Sequence, residues 1–393
     1  MRIARVLSRL NLGGPARQVE ASDPLLVARG HGLRVFCGRP EEGEGDLAPQ
    51  LERLGVDVVR VPGLARGPAL FSDLSAAAFL ARELRAFRPD VVHTHASKAG
   101  LLGRLVAPRG AALVHTFHGH VLEGYFGPRV SRALARLERA LARRTDVVVA
   151  VSRATAQDLV RLEVCGAERI ALSPPGVRLA DVRAVEPLPA SPDARARLGL
   201  PAAGFVVAFV GRLAPVKRPG FAGAVLAELV AAGVDAHLAV AGDGPGRAEL
   251  LAGAASARER VHVLGAVPDV APLFAAADAV LSCSRNEGLP VALIEAAAAA
   301  RPVVAVDVGG IAELVADGRT GHLVPAGAAP GVVAAALLRL AADPATARAL
   351  GLAARASAAP YEPSALVARL ESIYERALGA RRARRGEVAR CAS

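Results

Sequence analysis

Tryptophan is absent from this chain of 393 residues, methionine occurs once and tyrosine three times. A lectin-like module that stacks sugars on indole and phenol faces is therefore disfavoured. Lysine is nearly missing too, at Lys98 and Lys217 only, so the formal charge of +11 is carried by arginine. The four cysteines, Cys37, Cys165, Cys283 and Cys391, form no C-x-x-C pair. Their scatter excludes a disulfide framework and fits a reducing, cytoplasmic compartment. No run of eighteen apolar residues is free of charge, and the opening MRIARVLSRL is broken by arginine. Neither a transmembrane span nor a secretory signal is expected. No Asp-x-Asp pair occurs, so a bridging divalent metal is not required.

What is present reads as a large globular chain, with 52% apolar and 22% charged residues. Its length suits two domains of ordinary size. Strand-like runs at RIARVLS, LRVFCG, VDVVRV and DVVHTH alternate with helix-like ones such as LSAAAFLARELRAF. That alternation predicts a mostly parallel sheet covered on both faces, with ligands at the carboxyl ends of its strands. Strands follow again at FVVAFVG, AHLAVAG, VHVLGAV, AVLSCSR and PVVAV. The expected layout is a first domain over 1–183, a Pro-rich linker over 184–203 and a second domain over 204–359. A helix over 360–379 and a disordered basic tail over 380–393 complete it.

Several short patterns carry chemistry. In SRNEGLPVALIEAAAAARPVVAVDVGGIAELV, Glu287 and Glu295 stand eight residues apart. Pro290 opens a predicted helix running to about Ala300, which puts Glu287 in the loop at its N-terminus and Glu295 inside it. A helix N-terminus favours anions, and nearby carboxylates can grip hydroxyls of the same ligand. The same two residues also suit a solvated helix. Gly211-Arg212 and Lys217 follow a buried strand; Arg offers phosphate a fork and Lys a point charge. Neither this segment nor Gly242-Asp243-Gly244-Pro245-Gly246 has the glycine spacing of a Walker loop or a dinucleotide fingerprint. Gly13-Gly14 lies between a strand and a helix, where backbone N–H groups can meet a phosphate or simply make a tight turn.

Histidines cluster at His93-Thr94-His95 and at His115, His118 and His120. Such spacing can hold a metal ion or can share a strand face for packing; no carboxylate or Cys completes a set, so no metal site is assigned. Phe117, Tyr125 and Phe126 form the one dense aromatic group, fit to face an acceptor or to fill a core. Over 128–143, Arg129, Arg132, Arg136, Arg139 and Arg143 recur at helical steps opposite Val130, Leu134, Leu137 and Leu141. This stripe fits an anionic membrane surface or a solvated face.

The run EGLPVALIEA, the PVVAV strand and the VGG that follows resemble the Glu-x7-Glu region of retaining family 4 glycosyltransferases. The resemblance covers nearly the whole chain. It implies an α/β fold of two Rossmann-like domains facing across a cleft (GT-B), with the last helix crossing back to the first domain. GRLAPVK resembles that family's cationic motif, so Arg212 and Lys217 would hold the donor diphosphate. Glu295 would receive the ribose, and Asn286, Gly288, Leu289, Pro290, Gly211 and Gly242 would line the donor. Glu287 would hold donor-sugar hydroxyls, His118 would border the donor sugar, and Gly13 and Gly14 would face the diphosphate. Where relatives often carry Asn-Gly-Val-Asp, this chain has Pro175-Gly176-Val177-Arg178, which leaves that loop's polar role open.

The expected activity is metal-independent transfer of a sugar from a nucleoside diphosphate to a hydroxyl, without a bound cofactor. THASKAG and HTFHGH resemble the acceptor loops of bacterial polysaccharide enzymes, so a carbohydrate or lipid-linked acceptor is expected. No nucleic acid is among the expected partners, and the cytoplasmic enzyme would meet the inner membrane face peripherally. The alternatives are a sugar-nucleotide 2-epimerase on the same fold and a catalytically silent nucleotide-sugar-binding partner of an assembly complex.

Overall fold

The computed structural model describes residues 1–41, 44–65, 67, 69–119, 122 and 127–391. It divides into two compact units, Met1–Val177 with Pro363–Ser393 and Arg178–Glu362. The first unit holds seven strands: β1 (Arg2–Arg9), β2 (Gly32–Gly38), β3 (Asp57–Arg60), β4 (Val91–His95), β5 (Ala112–Phe117), β6 (Val147–Ala150) and β7 (Ile170–Leu172). They pair in the order β3-β2-β1-β4-β5-β6-β7, all in parallel. The chain lays β1 down centrally, builds outward through β2 and β3, then returns to place β4 on the other side. The β1/β4 junction is therefore a switch point, where an open parallel sheet leaves a crevice.

Alternation along β1 sorts its side chains. Ile3 and Leu7 face one core with Val19 and Leu26 of the helix Gly14–Ala28, while Ala4 and Val6 face another with Leu80 and Leu84. The first core also receives Leu366, Leu370 and Tyr374 from the helix Pro363–Cys391. That helix runs through residues expected to be a disordered tail. Its Arg384 lies 3.5 Å from Asp146 and donates to the Arg143 carbonyl at 3.2 Å, so part of the basic run has partners in the first unit.

The second unit holds β8 (Phe205–Val210), β9 (Ala236–Ala241), β10 (Val261–Gly265), β11 (Ala279–Ser282), β12 (Val303–Val306) and β13 (Gly321–Val324). Their order is β10-β9-β8-β11-β12-β13, again parallel, with the switch between β8 and β11. The segment 184–203, expected as a linker, packs with this unit. Ser191 caps the short helix Pro192–Arg197, and its buried Arg195 pairs with Asp278 at 2.6 Å and donates to the carbonyls of Ala276, Ala202 and Gly204. Arg301 holds the Glu186 carbonyl at 2.9 Å and Arg348 that of Leu188 at 2.8 Å. Pro and charge, which read as linker, here serve a helix start and an arginine that ties loops together.

The helix predicted over 128–143 spans Pro128–Arg144, but its inward face differs from the expected one. Val130 and Leu137 are exposed, while Ala135, Glu138, Leu141 and Ala142 are buried. Glu138 can turn inward because the buried Arg104 meets it at 2.7 Å. Arg139 leaves the basic stripe to donate to the Leu162 carbonyl. No helix among the described residues is long and apolar enough to cross a membrane.

Candidate active site

In the second unit the candidate residues gather at the β8/β11 switch. β8 ends at Val210, and Gly211 turns away with φ +142°, its N–H bonded to the Ala241 carbonyl at 2.9 Å. A Cβ on Gly242, itself at φ +149°, would lie 2.0 Å from the Gly211 carbonyl oxygen. Two glycines thus let the ends of neighbouring strands approach more closely than side chains permit. Arg212 follows, half-buried, and Lys217 ends the 3₁₀ turn Pro215–Lys217.

Beyond β11, Ser282-Cys283-Ser284 lead into the loop that carries Glu287. Arg285 N–H donates to the Val216 carbonyl at 2.8 Å, joining this loop to the Lys217 turn. Lys217 Nζ is ion-paired with Glu287 Oε1, and Ser284 Oγ donates to the same oxygen at 2.6 Å. Gly309 backs the loop: at φ +56°, a Cβ there would stand 1.8 Å from the Glu287 carbonyl oxygen. Asn286, Gly288, Leu289 and Pro290 continue the loop, and Pro290 is the N-cap of the helix Val291–Ala298. Glu295 sits half-buried inside that helix. Lys217, Ser282, Ser284, Pro290 and Leu293 line one small hollow there. Cys283, between Ser282 and Ser284, is buried, its thiol pushed up to about 12 by that burial, and offers no nucleophile at neutral pH.

The structure thus brings Gly211, Gly242, Lys217 and Glu287 into one place, with Arg212 and the 286–290 loop adjoining. Gly13, Gly14 and His118 belong to the first unit. Gly13 is the N-cap of the helix Gly14–Ala28, and its N–H meets the Asn11 side-chain oxygen at 3.2 Å. His118 follows β5, half-buried, with Nε2 2.9 Å from Nδ1 of His95.

The histidine-bearing strands do not pool their imidazoles. β4 alternates, so His93 and His95 stack at 4.2 Å on the side of Arg5, while His115 lies on the opposite face and bonds Thr94 at 2.8 Å. Arg5 is buried among them, salt-bridged to Asp23 at 2.8 Å. Burial, with neighbouring cations adding to it, holds His93, His95 and His115 well below the ordinary imidazole value. Burial and then Arg5 push His118 down to about 3. All four are neutral at physiological pH. Phe117 is buried edge-on against His115, whereas His120, Tyr125 and Phe126 fall outside the described residues.

Sequence reading passed over Ser284, Gly309, Arg5 and Asp23. Ser284 and Gly309 lie inside the stretch that drew attention, but only geometry couples them to Glu287. Arg5 had a signal, a charge within a strand flanked by apolar residues. Asp23 and Tyr374, which complete its surroundings, had none.

Two parallel, Rossmann-like halves with glycine-lined switch points and a cation–carboxylate pair define an α/β fold of the GT-B glycosyltransferase class. Solved structures agree on that fold. The sucrose-phosphate synthase of Thermosynechococcus elongatus superposes with TM-score 0.78 at 22% identity, over 97% of this chain and 100% of that one. Anabaena HepE in complex with UDP-glucose gives 0.76 at 21% identity, over 95% and 100%. The family model described as Glycosyltransferase Family 4 matches residues 12–181, and that of Glycosyl transferases group 1 matches residues 204–343. The D-inositol 3-phosphate glycosyltransferase of Kineococcus radiotolerans is 32% identical over 92% of this chain and 90% of its own. That of Thermobispora bispora is 34% identical over 74% and 71%. The chain belongs to the family 4 glycosyltransferases and is a glycosyltransferase.

Proposed function

We propose that this enzyme moves a sugar from a nucleoside diphosphate to a hydroxyl acceptor with retention at the anomeric carbon and without a metal ion or other cofactor. The observation that supports this most is the Lys217–Glu287 pair beside Arg212 at the β8/β11 switch. As the glycosidic bond breaks, negative charge grows on the departing diphosphate and positive charge on the sugar ring. Arg212 and Lys217 match the first change by preorganised charge and Glu287 the second. Glu295 takes the ribose hydroxyls, and the loop 286–290 with Gly211 and Gly242 lines the donor. In the first unit, the turn of Gly13 leads into the helix whose first N–H, that of Gly14, is offered to phosphate, and His118 meets the donor sugar.

For the acceptor, the relatives' printed name makes D-inositol 3-phosphate the first compound to try, with lipid-linked and polysaccharide acceptors as the alternative. The decisive experiment incubates purified enzyme with a panel of nucleoside diphosphate sugars and each acceptor, with and without EDTA, and reads anomeric configuration by NMR. A retained linkage formed equally in EDTA is expected. Inverted product, or complete loss in EDTA restored by manganese, refutes the corresponding part. Epimer formed from donor alone would favour the epimerase, and no turnover with any pair would favour the silent binding partner.

The exposed Arg129, Arg132, Arg136 and Arg143, interleaved with exposed Val130 and Leu137, support a peripheral contact with an anionic membrane. Flotation with anionic vesicles but not neutral ones is expected. Equal recovery with both would leave this helix a solvated face.

A further inference from the structure

Among the buried polar groups of the first unit, one chain of hydrogen bonds runs outward from Arg5 and ends at His118. Arg5 is anchored by the fully buried Asp23 at 2.8 Å, with Ser22 donating to Asp23 and accepting from Arg5 at 3.1 Å. A guanidinium has donors only. Arg5 Nη1 lies 3.2 Å from His93 Nδ1 and 3.1 Å from His95 Nε2, so both nitrogens must accept. A neutral His93 then carries its proton on Nε2, which meets Thr116 Oγ1 at 2.7 Å. A neutral His95 carries its proton on Nδ1, and that N–H points to His118 Nε2 at 2.9 Å. His118 Nε2 must accept. Its own proton is left on Nδ1, which meets no hydrogen-bonding partner among the described residues.

We propose that Arg5, anchored by Asp23, and His95 are positioning residues that fix His118 in the Nδ1–H tautomer, so that it meets the donor sugar as a neutral hydrogen-bond donor and not as a base. The lone pair that would make His118 basic is already taken by His95. Burial beside Arg5 opposes a second proton on either ring, so the direction does not reverse by forming an imidazolium. The arrangement is the one by which a second group sets a histidine's tautomer through the nitrogen that does no chemistry. The functional half rests on the reading of His118 given above; the tautomer does not.

The test is an imidazole ¹⁵N–¹H correlation spectrum at pH 7.5, with His118 assigned by loss of its signals in His118→Gln. The wild type should show His118 protonated at Nδ1 and bare at Nε2, the reverse of what free histidine favours in water. His95→Leu removes the donor and should move His118 to the Nε2–H form. His95→Asn places an amide N–H at the Nδ1 position and should keep the original form. In turnover, the leucine variant should lose about tenfold in kcat, the equivalent of one hydrogen bond, with donor KM little changed, and asparagine should recover most of it. An Nε2–H or doubly protonated His118 in the wild type overturns the relay, and that spectrum decides even if the leucine variant does not fold. A tautomer that shifts in His95→Leu with kcat unchanged upholds the relay and overturns the role given to His118.

Discussion

Lys217 is ion-paired with Glu287, and both side chains are mostly shielded from water. On the proposed reading, a diphosphate arriving there draws the ammonium towards itself, away from Glu287. Lys217→Ala should weaken nucleoside diphosphate affinity by roughly ten- to a hundredfold, the range of a charge-assisted hydrogen bond. Unchanged affinity in calorimetry would remove Lys217 from the site. Glu287→Gln keeps the shape and the Ser284 contact but loses the charge that the proposed mechanism sets opposite the sugar. Its kcat should fall on the order of a hundredfold, whereas Glu295→Gln should mainly raise donor KM. Equal effects of both substitutions on both constants would contradict the division of roles. The lysine was conspicuous in the sequence because the chain uses the residue so sparingly. The hydroxyl of Ser284 was not, since serine is common and its partner is known only once the loop is folded.

The elements were legible where periodicity was strong. Valine-rich runs bounded by glycine became the inner strands, and the helix carrying Glu295 begins one residue from its expected start, because proline has no N–H to leave unsatisfied there. What failed was facing. The helix Pro128–Arg144 buries Glu138 and exposes Leu137 because Arg104, on another helix, supplies the partner that makes an inward carboxylate tolerable. No local pattern encodes that choice. The glycines show the same dependence on neighbours. Gly309 and Gly318 both have positive φ, yet only at Gly309 would a Cβ meet backbone, whereas at Gly318 it would meet open space. Gly309→Ala should therefore destabilise by about 1–3 kcal/mol and displace Glu287 enough to lower kcat, while Gly318→Ala pays only for its backbone conformation. Thermal melts and turnover of the two variants, run side by side, check this; indistinguishable pairs would mean that the loop yields easily.

At the scale of the whole molecule, the first unit keeps four imidazoles neutral inside its fold. In the unfolded chain they take up protons near pH 6.5. Below that value the unfolded state binds more protons than the folded one, so stability falls with pH; above it these groups contribute no pH dependence. Asp23, raised by burial, acts in the opposite sense at acid pH and offsets part of the loss. Denaturant melts followed by circular dichroism should show a loss of up to about 1 kcal/mol per imidazole between pH 7 and 5.5. An unchanged midpoint would mean that the rings charge freely within the fold.

The scarcity of lysine has a practical consequence for following the enzyme at work. Lys98 is salt-bridged to Asp73 in the first unit and Lys217 to Glu287 in the second. Reductive ¹³C-methylation would thus install two side-chain reporters, one per unit, in addition to the amino terminus. The resonance from Lys217 should move when nucleotide is added, while that from Lys98 serves as its built-in reference.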